Sequence, residues 1–343
     1  MKKVFITGGA GFIGFNCAKL LIEKKFQVKI YDNLSRKGSK INLTQLKKKL
    51  VETEIGDTSN FNKLKKSIIS FKPDMIINCS GQVAVTRSII NPREDLESNI
   101  LGTFNLLEIL RKNSIDCKLI HLSTNKVYGD LRNFSVRQTS KRYFFLNKKR
   151  SLDESSQLDF ISPYGCSKGS ADQYVLDYSR IYKLKNIVLR QSCIYGPHQF
   201  GLEGQGWVAW IILSSLLNKK LKIFGSGKQV RDILYVTDLC ELIYKIYKSK
   251  YSYQKNVFNV GGGYKNSLSI LELIDLIQKI NNIKIKKSFY KQRKGDQKIF
   301  ISDNSKALNF YNWSPKVTSY KGICSLNFWI RQNLKIFESI YEF

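Results

Sequence analysis

The segment Thr7-Gly8-Gly9-Ala10-Gly11-Phe12-Ile13-Gly14 constrains this chain more than any other. It follows Val4–Thr7, an apolar run that reads as a strand, and it opens Gly11–Lys24, which reads as a helix. Gly8, Gly11 and Gly14 stand three apart. Without side chains they let the backbone approach a pyrophosphate, which then rests at the positive end of the helix. A plain tight turn would also use such glycines, but here the elements on both sides are right for a dinucleotide. Asp32 adds to this, eighteen residues beyond Gly14 and just past the strand Gln27–Tyr31. A carboxylate there can hold ribose hydroxyls and repel a 2′-phosphate, which predicts NAD in preference to NADP. Arg36 reads as a solvated loop arginine, not as a 2′-phosphate ligand.

The same alternation continues downstream. Phe61–Phe71 reads as a helix, Met75–Cys79 as a strand, Asn99–Lys112 as a helix and Lys118–Ser123 as a strand. Pro163–Tyr182 reads as a long helix and Asn186–Arg190 as a strand. Strands separated by helices imply βαβ units, and right-handed crossovers wind them into a doubly wound parallel sheet. After Arg190 the pattern changes to glycines, prolines and aromatics over residues 191–228. A helix at Thr237–Lys248 and a strand at Val257–Val260 read as a return to the sheet. The chain is therefore expected to be an α/β protein of the Rossmann type. Residues 1–190 and 229–262 would form the NAD-binding part. Residues 191–228 and 263–343 would form a smaller, mixed α/β substrate-binding part, with a cleft between the two. Residues 130–160 read as a long polar connection, a kind of loop that is usually functional or disordered.

Composition narrows the partners. Lysine and arginine number 57 against 27 acidic residues, a net charge of +30 over 343 residues. The lysines are scattered, and the densest runs, Lys47-Lys48-Lys49 and Lys148-Lys149-Arg150, are short. That predicts solvated faces and no nucleic-acid partner, while a basic cleft suits nucleotide diphosphates. No run approaches the roughly 18 apolar residues of a membrane helix, so no membrane partner is expected. The N-terminal run Met1–Ile6 breaks at once into Thr7-Gly8-Gly9, which argues for a buried strand against a signal peptide. Seven cysteines without a C-x-x-C pair point to reduced thiols in a cytoplasm. His121 and His198 are the only histidines, which gives little support for a metal site or a Ser-His-Asp triad.

Three further motifs carry chemistry. Ser162-Pro163-Tyr164-Gly165-Cys166-Ser167-Lys168 opens the long helix, with Ser162 as a cap and Pro163 in the first turn. Tyr164 and Lys168 are four apart and share a helix face. A free phenol with a pKa of about 10 is a poor base, but a nearby ammonium and a cationic nicotinamide would lower it. Thr124 ends the strand Lys118–Ser123, at the edge where doubly wound sheets bind ligands. It could hydrogen-bond a reacting hydroxyl beside Tyr164. Gly56-Asp57-Thr58 suits either a contact to an adenine amino group or a simple turn aspartate, and propensity leaves the two level.

Together these residues resemble the extended short-chain dehydrogenase/reductases, specifically the NAD-dependent epimerase/dehydratase family. The resemblance covers nearly the whole chain. Within that family the chain looks most like the CDP-paratose 2-epimerases, also called CDP-tyvelose 2-epimerases. The discriminating stretches are Ser80–Thr86, Ser123–Asp130, Leu158-Asp159-Phe160 into Ser162–Gly169, Arg190–Pro197, Gln205-Gly206-Trp207-Val208 and Gly227–Asp232. The resemblance implies a catalytic group of Thr124, Tyr164 and Lys168. It implies NAD contacts from Gly8, Gly11, Phe12, Ile13, Gly14, Asp32, Asn33, Asp57, Thr58, Ser80, Gly81, Gln82 and Asn99, with Tyr164 and Lys168. Substrate contacts would come from Gln82, Thr86, Asn125, Lys126, Gln191, Ser192, Gln205, Trp207, Arg231 and Arg293. It also implies a homo-oligomer, dimer or tetramer.

The departures matter as much. Dehydratases of this family carry an Asp-Glu pair where this chain has Asn125-Lys126, so the acid and base that expel water are missing. Cys193 stands where many relatives have asparagine, and His198 where arginine is common. The implied reaction is inversion at C2 of a CDP-linked 3,6-dideoxyhexose. The C2–H bond has no adjoining carbonyl and is not acidic, so oxidation at C2 itself is the simplest route. The alternative is a 4-epimerase or dehydrogenase acting on a UDP- or dTDP-sugar with the same catalytic group. A silent NAD-binding regulator or an RNA-binding module fits poorly with Thr124, Tyr164 and Lys168 all present.

Overall fold

The computed structural model describes residues 1–49, 51–146, 151–250, 256–293 and 295–341. The expected basic run Lys148–Arg150 lies outside them. Among the described residues one sheet has seven strands: β1 (Lys3–Thr7), β2 (Gln27–Asp32), β3 (Glu52–Ile55), β4 (Met75–Asn78), β5 (Lys118–Thr124), β6 (Lys185–Gln191) and β7 (Val257–Val260). Their order is β7-β6-β5-β4-β1-β2-β3, and every neighbouring pair is parallel. The order reverses between β1 and β4, which opens a crevice beyond their carboxyl ends.

Six helices cover this sheet: α1 (Phe12–Glu23), α2 (Ser39–Lys47), α3 (Phe61–Phe71), α4 (Gly102–Lys112), α5 (Ser162–Tyr182) and α6 (Val236–Lys248). Strand side chains alternate between the two faces. In β1, Val4 and Ile6 enter the core shared with α1, α2 and α6, and Phe5 enters the core shared with α3, α4 and α5. This is the expected three-layer α/β architecture.

The smaller lobe has its own core, where Ile212, Leu273, Ile277, Ile323 and Ile330 meet. Strand Val230–Tyr235 pairs with Ser267–Ser269, Ile299–Phe300 and Cys193–Tyr195. Helix α6 follows at once and packs on α1. We therefore place the chain's return to the larger lobe at Val236 instead of residue 229.

Some elements carry little sequence signal. Edge strand β3, Glu-Thr-Glu-Ile, has no apolar run and is at best half-buried. The helix expected from Asn99 is preceded by a π-helical turn, Leu96–Leu101, which runs into α4. The described residues of the 130–160 connection include a hairpin. Val136–Gln138 pairs with Tyr143–Phe145 as a hairpin, and Val136, Tyr143 and Phe145 pack on Val230, Ile299 and Ile301 of the small lobe.

A buried ion pair anchors α5 to the sheet. Arg190 on β6 donates Nε to Asp172 Oδ2 and Nη2 to Oδ1, both at 3.0 Å. Ser123 donates to the same carboxylate at 2.7 Å. The two charged side chains are 4% and 0% exposed. Removing one partner of such a pair strands the other charge in the interior, at a cost of about 3–5 kcal/mol. Asp172→Ala should lose stability of that order in urea unfolding, and a loss within experimental error would refute the anchoring role.

Candidate active site

The glycine turn builds a cradle. Gly8 has φ 63°, a left-handed conformation that suits glycine, and its N–H donates to Tyr31 O at 2.8 Å. A Cβ on Gly8 would lie 2.7 Å from Ser80 N, and one on Gly14 would lie 2.4 Å from Gly8 O. Helix α1 thus presses directly on the turn. Gly11 caps it without any side-chain bond, and no acidic residue stands in its first turn. The first N–H groups of α1 are therefore left for an anion. Asp32 is buried at the end of β2, where its carboxylate accepts from Ala10 N at 3.0 Å and Leu34 N at 2.7 Å. Burial pushes this carboxyl up, opposed by those N–H donors. A bare helix terminus with a carboxylate at the neighbouring strand end fits the diphosphate and ribose of NAD.

Asp57 serves its own turn. It accepts from Ser59 N at 2.9 Å, Ser59 Oγ at 2.8 Å and Asn33 Nδ2 at 2.6 Å. Thr58 is buried against Gly102, whose Cβ would lie 2.4 Å from Thr58 Oγ1.

A cavity of about 400 Å³ fills the crevice. Phe12, Ile13 and Ser80 line its cofactor side, and Thr124, Tyr164 and Lys168 its floor. Asn125, Lys126, Gln191 and Ser192 continue the wall toward the small lobe, where Thr86, Gln205, Trp207, Arg231 and Arg293 meet it. Gly8, Gly11, Gly14, Asp32, Asn33, Asp57 and Thr58 lie outside this lining, as do Gly81, Gln82 and Asn99. Gln82 was expected to touch both ligands, but its amide is occupied: Nε2 donates to Ala84 O at 2.9 Å, and Oε1 accepts from Ala84 N. It holds the Ser80–Thr86 loop in shape. Gln191 Nε2, buried in the cavity wall, has no hydrogen-bond partner among the described residues.

The expected catalytic group is assembled from two elements. Thr124 ends β5, and Tyr164 and Lys168 lie on the first turns of α5. Ser162 accepts from Gly165 N at 3.2 Å, which is the expected capping, and it carries φ 73° immediately before the catalytic turn. Tyr164 is pushed up to about 12, mainly by burial, against a hydrogen bond from Thr124. Lys168 is pushed down to about 8 by burial, and its ammonium donates to Leu122 O at 2.5 Å. In the polypeptide alone burial sets the balance and keeps the phenol protonated, while Thr124 and Arg36 oppose it.

Asn125 and Lys126 are also committed within the protein. Asn125 Nδ2 donates to Gln297 Oε1 at 3.2 Å, and Gln297 Nε2 donates to Asn125 O at 3.3 Å and Gly129 O at 2.6 Å. Lys126 Nζ lies 3.6 Å from Asp296, which also accepts from Arg231 Nη2 at 2.8 Å. Burial lowers the Lys126 ammonium. Asn125 thus acts as a brace, while Lys126 and Arg231 keep a face on the cavity. Arg293 lies over the Phe224 ring, 3.9 Å from its centroid.

Two residues escaped the sequence reading. Asp296 became visible only when folding joined it to Lys126 and Arg231. Arg36 is not a solvated loop arginine: its guanidinium reaches across the cleft to Gln205 Oε1, and burial pushes its pKa down. A separation of 169 residues hides that contact from any local motif.

Known proteins resemble this chain. The profile of the NAD dependent epimerase/dehydratase family matches residues 4–261. The chain is 42% identical to a CDP-paratose 2-epimerase of Salmonella typhi, over 95% of this chain and 98% of that one. It superposes with a TM-score of 0.83 on the UDP-glucose 4-epimerase of Thermotoga maritima solved with UDP-glucose, at 28% identity over 97% and 99% of the two chains. It superposes equally well, at 0.83, on the dTDP-glucose 4,6-dehydratase of Bacillus anthracis in complex with NAD, at 26% identity over 99% and 100%. The chain belongs to the NAD dependent epimerase/dehydratase family and is an NAD-dependent enzyme.

Proposed function

We propose that this enzyme inverts C2 of a CDP-linked 3,6-dideoxyhexose, turning CDP-paratose into CDP-tyvelose. One observation carries the chemistry. The cavity presents Thr124 and Tyr164 to a hydroxyl, while the residues at the dehydratase acid and base positions, Asn125 and Lys126, are bonded to Gln297 and Asp296. The site is equipped to oxidise and reduce an alcohol and lacks the acid for expelling water. The relative's CDP-sugar activity, at 42% identity along the chain, supports the choice of substrate.

Arg231 and Arg293 bind the diphosphate, since a guanidinium fork matches phosphate oxygens. Thr124 donates a hydrogen bond to the C2 hydroxyl, and Tyr164 removes its proton. NAD, held at the Gly8–Gly14 turn and by Asp32, would supply the acceptor and then the donor of the C2 hydride. Tyr164 then returns the proton after the ketone has turned in the cavity, with the arginines still holding the diphosphate. Lys168, kept on Leu122 O, steadies the phenolate through its charge. The alternative, a 4-epimerase or dehydrogenase of a UDP- or dTDP-sugar, is favoured by the UDP-glucose 4-epimerase neighbour. The enzyme is read as cytoplasmic, with its seven cysteines unbridged, and as a dimer or tetramer.

Purified enzyme should convert CDP-paratose to CDP-tyvelose without added reductant, and in deuterium oxide the product should carry no deuterium at C2. Net NADH with stoichiometric ketose, or turnover of UDP- or dTDP-sugars in preference, would overturn the assignment. Tyr164→Phe should keep its NAD and lose about 10³-fold in kcat, the usual scale of a lost general base. Because ionisation of Tyr164 creates the base, wild-type kcat should fall as pH drops through the holoenzyme's phenol pKa. A flat acid side would exclude Tyr164 from that role.

A further inference from the structure

A carboxylate outside the catalytic group grips the catalytic helix. Asp95 is 1% exposed. Three side chains from three segments converge on it. Gln82 Nε2 lies 3.4 and 3.3 Å from its two oxygens, Asn99 Nδ2 lies 3.2 Å from Oδ1, and Ser167 Oγ lies 3.3 Å from Oδ1. Each donor has a second job. Gln82 fixes Ala84 at the edge of the cavity loop. Asn99 donates to Gln82 O at 3.1 Å and to Ser167 Oγ at 2.9 Å. Ser167 sits between Tyr164 and Lys168, and its hydroxyl also bonds Tyr164 O at 3.0 Å.

All of these donors are neutral, and no lysine or arginine lies within salt-bridge distance of Asp95 among the described residues. A buried carboxylate is normally neutralised by a cation. Here neutral donors alone hold it: burial pushes the Asp95 carboxyl up, and the bonds from Gln82 and Ser167 oppose that.

We propose that Asp95 is a positioning residue for the reaction: its carboxylate clamps the first turns of α5 to the Ser80–Thr86 loop and sets a negative charge beside Tyr164. The inference rests on Tyr164 being the base. The groups facing Tyr164 are the Thr124 hydroxyl, Asp95, the Cys193 thiol and Arg36. Asp95 itself faces Glu94, Gln82 and Ser167. Asp95 and Cys193 oppose ionisation of the phenol, while Thr124 and Arg36 favour it. Asp95 thereby adds to burial, the larger cause, in keeping the phenol protonated.

The test compares two variants of the NAD-loaded enzyme. Asp95→Asn keeps an acceptor and removes the charge. Removing a neighbouring negative charge makes the phenolate easier to form, so the acid limb of kcat should move down by about half a pH unit, with KM nearly unchanged. Ser167→Ala keeps the charge and removes one strand of the clamp. Its kcat should fall about tenfold, the effect of one lost hydrogen bond, with the limb not moving down. A folded Asp95→Asn enzyme with an unmoved limb overturns the proposal. So does wild-type kcat in Ser167→Ala, which decides the matter even if Asp95→Asn fails to fold. Tyr164→Phe run alongside separates the two readings. If it stays active, the base assignment has failed, and the Asp95 proposal falls with it. If it is inactive while the other two variants behave as wild type, only Asp95 has been misread.

Discussion

The bidentate pair between Arg190 and Asp172 is the contact on which the site depends. It joins β6 to α5 in an interior that leaves neither charge more than 4% exposed. Ser123, the residue before Thr124, bonds the same carboxylate. One interaction therefore sets the end of β5, the rotation of α5 and the spacing between Thr124 and Tyr164. Lys168 lies one turn before Asp172, and the carboxylate helps keep its buried amine charged. Arg190 also donates to Tyr128 OH at 3.1 Å, and Tyr128 donates to Asn259 on β7, so the network crosses three strands. A satisfied buried network of this kind favours a single arrangement, because any slip leaves charges unpaired.

Around that anchor the enzyme arranges charge in opposition. Burial drives the Tyr164 phenol up and the Lys168 ammonium down, each toward its neutral form. Left to itself the polypeptide disfavours the pair that the chemistry needs. A cationic nicotinamide held beside Tyr164 would favour the phenolate, since a positive charge in a poorly solvated site acts strongly on a nearby phenol.

The segment Arg293–Gln297 shows how family members diverge without changing fold. Gln297 and Asp296 bind Asn125 and Lys126, the positions that hold an acid and a base in dehydratases. Asn125 and Lys126 thus brace the small lobe against the end of β5. Arg231 joins the same brace through Asp296, so the small lobe is tied to the wall of the cavity.

Local pattern was enough for the parallel sheet, the glycine cradle and the Tyr164/Lys168 pair, because strand alternation, a turn that admits only glycine and helical spacing act over a few residues. The neighbours of those residues were another matter. Arg36 reads locally as a solvated arginine and ends in the cleft on Gln205. Gln82 carries no local sign of the bonds it makes to Ala84 and Asp95. β3 has too little apolar character to announce itself, and β2 pairs it into the sheet. Asp95, Asp296 and Gln297 carry no motif at all; what they do comes from partners up to 172 residues away. The sequence by itself determined which chemical groups are present and which short-range conformations hold them. Only the tertiary structure decided which polar groups are buried together, because burial makes every donor and charge find a partner or shift its ionisation, and those partners are chosen by packing.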